Sequence, residues 1–204
     1  MNKSRQVFDT LFKYIPGGLF GLASVILAFI FVTVSYLNFP GYNMMDNDVS
    51  ILGIGPELSA IAFNVGLIVI GFVAIPFFIY LGRVVKKEAD NPKLINRSVG
   101  LTILGCISLS LLGIFPVMNE TMGIIHAGLA LTFFLSSLIN LVIFGKTILN
   151  DNRFPKIQSY ISIFVACLIG LYIATRFSIV EWLVFFALGF WMIDISVFTL
   201  VKKL

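Results

Sequence analysis

Six separate stretches of this chain are long and apolar enough to cross a lipid bilayer, and few folds satisfy that constraint. A helix spanning roughly 30 Å of hydrocarbon needs about 20 apolar residues. The stretches run from Ile15 to Leu37, Leu58 to Leu81, Ser98 to Val117, Met122 to Ile148, Ile157 to Ala174 and Ile179 to Val201. Backbone facing lipid must satisfy its hydrogen bonds internally, and these stretches lack the alternating polarity of barrel strands. The expectation is an all-α integral membrane bundle of six transmembrane helices, forming one domain over residues 1–204. With 59% hydrophobic and only 12% charged residues, the chain has too little polar surface for a soluble globule.

Thirteen of the fourteen lysines and arginines fall on one side of this topology. They are Lys3, Arg5 and Lys13, then Arg83, Lys86, Lys87, Lys93 and Arg97, then Lys146, Arg153 and Lys156, and finally Lys202 and Lys203; Arg176 alone lies opposite. Positive loop charge is retained in the cytoplasm, so a multi-pass protein of the cell membrane with both termini cytoplasmic is expected. The net charge of +4 then reflects loops apposed to acidic headgroups, and nucleic acid is not an expected partner. The first stretch follows a basic N-terminus as a signal peptide's would, but it has spanning length and no small-residue cleavage pattern, so it is expected to stay attached.

Aromatic residues give the same register. Tyr14, Tyr80 and Tyr160 mark cytoplasmic ends, and Tyr36, Tyr172 and Trp182 mark outer ends. Trp191 falls near mid-membrane, where its indole needs a partner or a packed pocket. Pro76 should bend the second span. Ser162, Ala166, Gly170 and Ala174 recur every fourth residue along the fifth, a small-residue face where another helix can approach closely. Cys106 and Cys167 lie in apolar runs without metal or redox spacing and read as packing residues.

The segment from Asn38 to Glu57 is long, with three acids and no base, and is expected to form an ordered outer cap. Pro56 and Glu57 suit the first turn of the helix that follows.

Ionisable groups inside hydrocarbon are costly and are candidates for function. Asp194 on the sixth span and Asn140 on the fourth lie at similar depths near the cytoplasmic side, and a hydrogen bond between them would join the two helices. A proton or cation site is the competing reading. The only histidine, His126, opens the fourth span. With Asp46, Asp48, Ser50, Glu57, Asn64, Glu120, Arg176 and Glu181 around it, a water-filled outer cavity would let His126 act as catalytic acid or base. Against that stand a structural histidine and an exposed Arg176–Glu181 ion pair of little worth. One histidine with scattered acids does not make a metal ligand set, and no cofactor is expected. Ser50 and Ser59 match His126 in depth, but no Gly-x-Ser-x-Gly elbow is present; Ser108 and Ser110 read as helix packing.

The segment Asn47-Asp48-Val49-Ser50-Ile51-Leu52-Gly53-Ile54-Gly55-Pro56, then Phe63-Asn64-Val65-Gly66-Leu67, resembles a prokaryotic membrane family known as domain of unknown function nine-nine-eight. Gly113-Ile114-Phe115-Pro116, and His126 with Ala130 and Phe133, continue the likeness. The same elements are more distantly similar to the Frag/DRAM/Sfk group. The resemblance implies a six-span bundle with a shared outer-pole motif, and the eukaryotic group is associated with lipid anchors, autophagy and lipid asymmetry. Two departures stand out: Ile51 occupies a position where Asp often follows the loop serine, and the acid expected after Gly-x-Phe-Pro comes later, as Glu120.

Three functions are therefore weighed: lipid binding or processing at the outer ends of the second to fourth spans, with membrane lipid as partner; a small proton-coupled carrier using Asp194 and Asn140; and a non-catalytic scaffold, with a second copy of the chain as partner. The enzyme case rests on His126.

Overall fold

A computed structural model describes residues 3–204, with side chains from Gln6 onward; the side chains of Lys3 and Arg5 lie outside the described set. Helix α1 covers Lys3–Tyr14, α2 Gly17–Leu37, α3 Glu57–Lys86, α4 Pro92–Leu112, α5 Glu120–Leu149, α6 Lys156–Thr175 and α7 Ser178–Lys202, with a 3₁₀ turn at Val49–Ile54 between α2 and α3. Helices α2 to α7 have the length and composition of membrane spans, making this a multi-pass membrane protein.

Each spanning helix packs on its neighbours in sequence, and α7 returns to α2, closing a ring of six. Phe77, Leu81, Val85, Phe144, Ile169, Trp191 and Ile195 fill its interior. One pole carries the segment between α2 and α3 and is called the capped pole below. The other carries α1 and the lysine-rich connections and is called the basic pole.

Several helix ends depart from the hydropathy boundaries, and each departure has a local cause. Helix α4 starts at Pro92 rather than Ser98, because the Asn91 side chain accepts the Leu94 N–H at 3.1 Å and Pro92 supplies a first residue with no amide to satisfy. It stops at Leu112 rather than Val117, ahead of the Gly113–Pro116 turn. Helix α3 runs through Pro76 unbroken and extends past Leu81 to Lys86. The basic N-terminus forms a helix of its own, α1, separated from α2 because Pro16 disfavours helical backbone at Ile15. Arg83 donates from Nη1 to Asp9 Oδ1 at 2.6 Å, and Phe12 meets the edge of Tyr80 at 5.6 Å, holding α1 against α3.

Polar side chains join the elements. Trp191 Nε1 donates to Ser162 Oγ at 2.7 Å, supplying the partner its mid-membrane indole requires. Ser162 and Ala166 are buried whereas Ala174 is exposed, so the small-residue face of α6 is a seam only toward the basic pole. Ser110 Oγ, a packing residue as expected, donates to Ile68 O at 3.1 Å. In the α5–α6 connection, Arg153 Nη2 bonds Asp151 Oδ2 at 2.6 Å and Val84 O at 2.9 Å, tying that loop to α3. Burial alone would raise the Asp151 carboxyl, but the hydrogen bonds and charge of Arg153 outweigh it and hold the group below the usual carboxylate range.

Candidate functional site

At the capped pole, the segment between α2 and α3 is ordered by bonds to α7 at one end and to α3 at the other. Glu181 Oε2 accepts the Val49 N–H at 3.0 Å, and Ser178 Oγ donates to Asp48 Oδ1 at 2.6 Å. Trp182 Nε1 donates to Asn47 O at 3.2 Å, and the Tyr42 hydroxyl donates to Asp48 O at 2.7 Å. Burial holds the Tyr42 phenol above its ordinary range, so it remains a donor. At the α3 end, Asn64 Nδ2 donates to Gly53 O at 2.9 Å, while Ser59 shares a 2.9 Å bond with Ser35.

Of the residues expected around an outer cavity, this arrangement unites Asp48 and Glu181 and places Tyr172 and Arg176 beside them. Asn64 supports the far end of the same turn. Ser50 is half-buried within the turn, and Glu57 and Glu120 are exposed at the starts of α3 and α5. The exposed Arg176–Glu181 ion pair is not formed. Helical phase turns Glu181 inward beneath the cap, where it is 8% exposed, and the Arg176 guanidinium lies 5.8 Å from the Tyr172 ring centre instead. The interior under the cap is packed, with Leu52 fully buried.

His126 is buried on a separate contact, with Nδ1 2.9 Å from Phe115 O. A carbonyl oxygen only accepts, so Nδ1 carries the proton and Nε2 is the acceptor. The ring thereby braces the α4–α5 connection.

The bond expected between Asp194 and Asn140 is also not formed, because α6 stands between α5 and α7 in the ring. Asn140 Oδ1 instead accepts from Ser98 Oγ on α4 at 2.7 Å. Asp194 faces α6, where Gln158 is its polar neighbour.

Two open spaces lie at the basic pole. A groove of about 520 Å³ between α5 and α6 is lined by Lys146, Leu149, Ser159, Tyr160, Ile163 and Phe164. A cavity of about 300 Å³ lies between the α3–α4 connection and α5, with Glu88, Asp90, Asn91, Thr147 and Asn150 in its wall. Lys146 borders both spaces. One is almost wholly apolar, and the other carries two acids and two amides in a wall that is otherwise largely apolar, so an amphipathic molecule would find acyl and headgroup partners on either side of one ammonium group. In the sequence, Lys146 marks only topology. The Asp90-Asn91-Pro92 turn was the available signal that an ordered polar wall lies here.

The chain belongs to the family described as "Protein of unknown function (DUF998)", which matches residues 22–199. No curated protein and no solved structure matches it.

Proposed function

We propose that this protein binds a membrane phospholipid at the basic pole, rather than at the outer ends of the second to fourth spans. The observation that carries this reading is the position of Lys146 between the apolar α5–α6 groove and the cavity whose wall holds Glu88 and Asp90. An acyl chain lies along Leu149, Tyr160, Ile163 and Phe164. The phosphate meets the Lys146 ammonium through a charge-assisted hydrogen bond. A cationic headgroup amine reaches Glu88 and Asp90, which favours a phospholipid with an ammonium headgroup over one with net negative charge. The capped pole, bound shut by its own hydrogen bonds, serves as the rigid end of the bundle. The protein is a lipid binder in this reading, and no reaction is assigned to it.

Native mass spectrometry after extraction in mild detergent tests the proposal, with phosphatidylethanolamine and phosphatidylglycerol offered in equal amounts. Wild type should retain the ethanolamine lipid preferentially. Lys146→Ala should bind it about tenfold more weakly, the loss of one charge-assisted bond of roughly 1.5 kcal/mol. Equal retention of both lipids, indifferent to Lys146, would reject the reading.

The basic pole and both termini face the cytoplasm in this proposal, on the strength of the thirteen-to-one division of positive charge. A single cysteine placed at Arg176, in a background with Cys106 and Cys167 replaced by alanine, should react with a membrane-impermeant maleimide on intact cells. Labelling only after lysis would invert the topology.

A further inference from the structure

Among the described residues, three side-chain oxygens are buried without hydrogen-bond partners: Gln158 Oε1 on α6, and Asp194 Oδ2 and the Ser196 hydroxyl on α7. Gln158 is only 2% exposed, and its amide adjoins the Asp194 carboxyl. Asp194 lies eight residues before Lys202, about 12 Å along α7, and Gln158 lies in the first turn of α6, two residues or about 3 Å after exposed Lys156. An ionised carboxylate can accept the amide N–H, but it has nothing to give the amide oxygen. Turning the amide over exchanges Oε1 and Nε2, and an ionised carboxylate still offers the amide oxygen no donor. A neutral carboxylic acid behaves differently. Its O–H donates to the amide oxygen while its carbonyl accepts from the amide nitrogen, and the paired cycle satisfies both groups. Protonation also removes a charge from a place where charge is costly.

Among the described residues, no neighbouring cation supplies an alternative. Helix α2 contains no charged residue, and α6 contains only Lys156, exposed at its first position. On α7, Glu181 lies at the opposite end and Lys202 in the last turn. Among the described residues, no ion pair includes Asp194.

We infer that Asp194 and Gln158 form an intramembrane proton-binding site, in which Asp194 is a carboxylic acid at neutral pH and donates its O–H to Gln158 Oε1. The proton is taken from water at the basic pole, converting carboxylate to acid with no other bond changed. This site is independent of the phospholipid site and uses none of its residues.

Infrared spectroscopy of the protein in lipid nanodiscs at pH 7 reads the site directly. Wild type should show a protonated-carboxyl C=O band that shifts in deuterium oxide and disappears as the pH is raised. Asp194→Asn should lose one carboxyl equivalent of that band, which separates it from any signal of Glu181. Gln158→Leu should keep the band but move it to higher frequency, because the C=O loses the amide donor; this variant preserves the test if Asp194→Asn does not fold. A band unchanged in Asp194→Asn, or unmoved in Gln158→Leu, would overturn the inference.

Discussion

Replacing Trp182 by alanine should detach the cap from the bundle and cost about 3–5 kcal/mol, the usual range for emptying a buried tryptophan site. Trp182 is 1% exposed, and its ring lies 6.4 Å from Tyr36, 6.0 Å from Tyr42 and 5.9 Å from Phe185. It thus joins α2, the cap and α7 in one aromatic cluster, and its indole N–H ends on Asn47 O. Alanine removes the ring contacts and leaves that carbonyl with only the Tyr42 hydroxyl, 3.1 Å away, as a donor. Hydrogen exchange should quicken across Tyr42–Ile54 while the amides of α5 and α6 keep their protection, and the unfolding midpoint in detergent should fall. Trp182→Phe separates the two contributions: most ring packing remains and the loss shrinks to about 1 kcal/mol for the hydrogen bond. Unaltered exchange across the cap in Trp182→Ala would show that the polar bonds from Glu181 and Ser178 hold it without the aromatic cluster.

The six spans were legible because bilayer thickness imposes a length on them that no loop of this chain imitates. The ordered cap was legible for a related reason: a long segment in a compact bundle needs internal support, and Tyr42, Ser59, Asn64 and Glu181 supply it. Helix adjacency was less accessible. Depth placed Asp194 and Asn140 at one level, but only the closed ring order separates them and gives each a different partner. Gln158 escaped notice because a polar residue in the opening turn of a span ordinarily sits at the interface; its burial depends on how α6 packs. Lys146 escaped for a similar reason. A groove is the gap between two helices, set by the side chains on both, and no periodicity within one helix announces it.

The same limit explains why glycines that look alike in sequence should respond oppositely to substitution. Gly71 on α3 sits where α4 approaches so closely that an added Cβ would lie 2.5 Å from Cys106 O and 3.0 Å from Ser110 N, and in clash with Ser110 Oγ as well. Two of these obstacles are backbone atoms, which cannot rotate away. Relief therefore requires moving one helix relative to the other, and the Ser110–Ile68 bond between them is strained in the process. Gly71→Ala should cost about 3 kcal/mol, the upper part of the usual range for overpacking, and Gly71→Leu more. At Gly100 on α4 and Gly128 on α5, an added Cβ meets nothing within 4 Å. Alanine there should be neutral or stabilise by up to about 1 kcal/mol, because it restricts the unfolded backbone and favours helix. Comparing unfolding midpoints of the three alanine variants in one detergent isolates the helix contact from general effects of removing glycine. A loss at Gly71 no greater than at Gly100 would mean that α3 and α4 are not in backbone contact along this face.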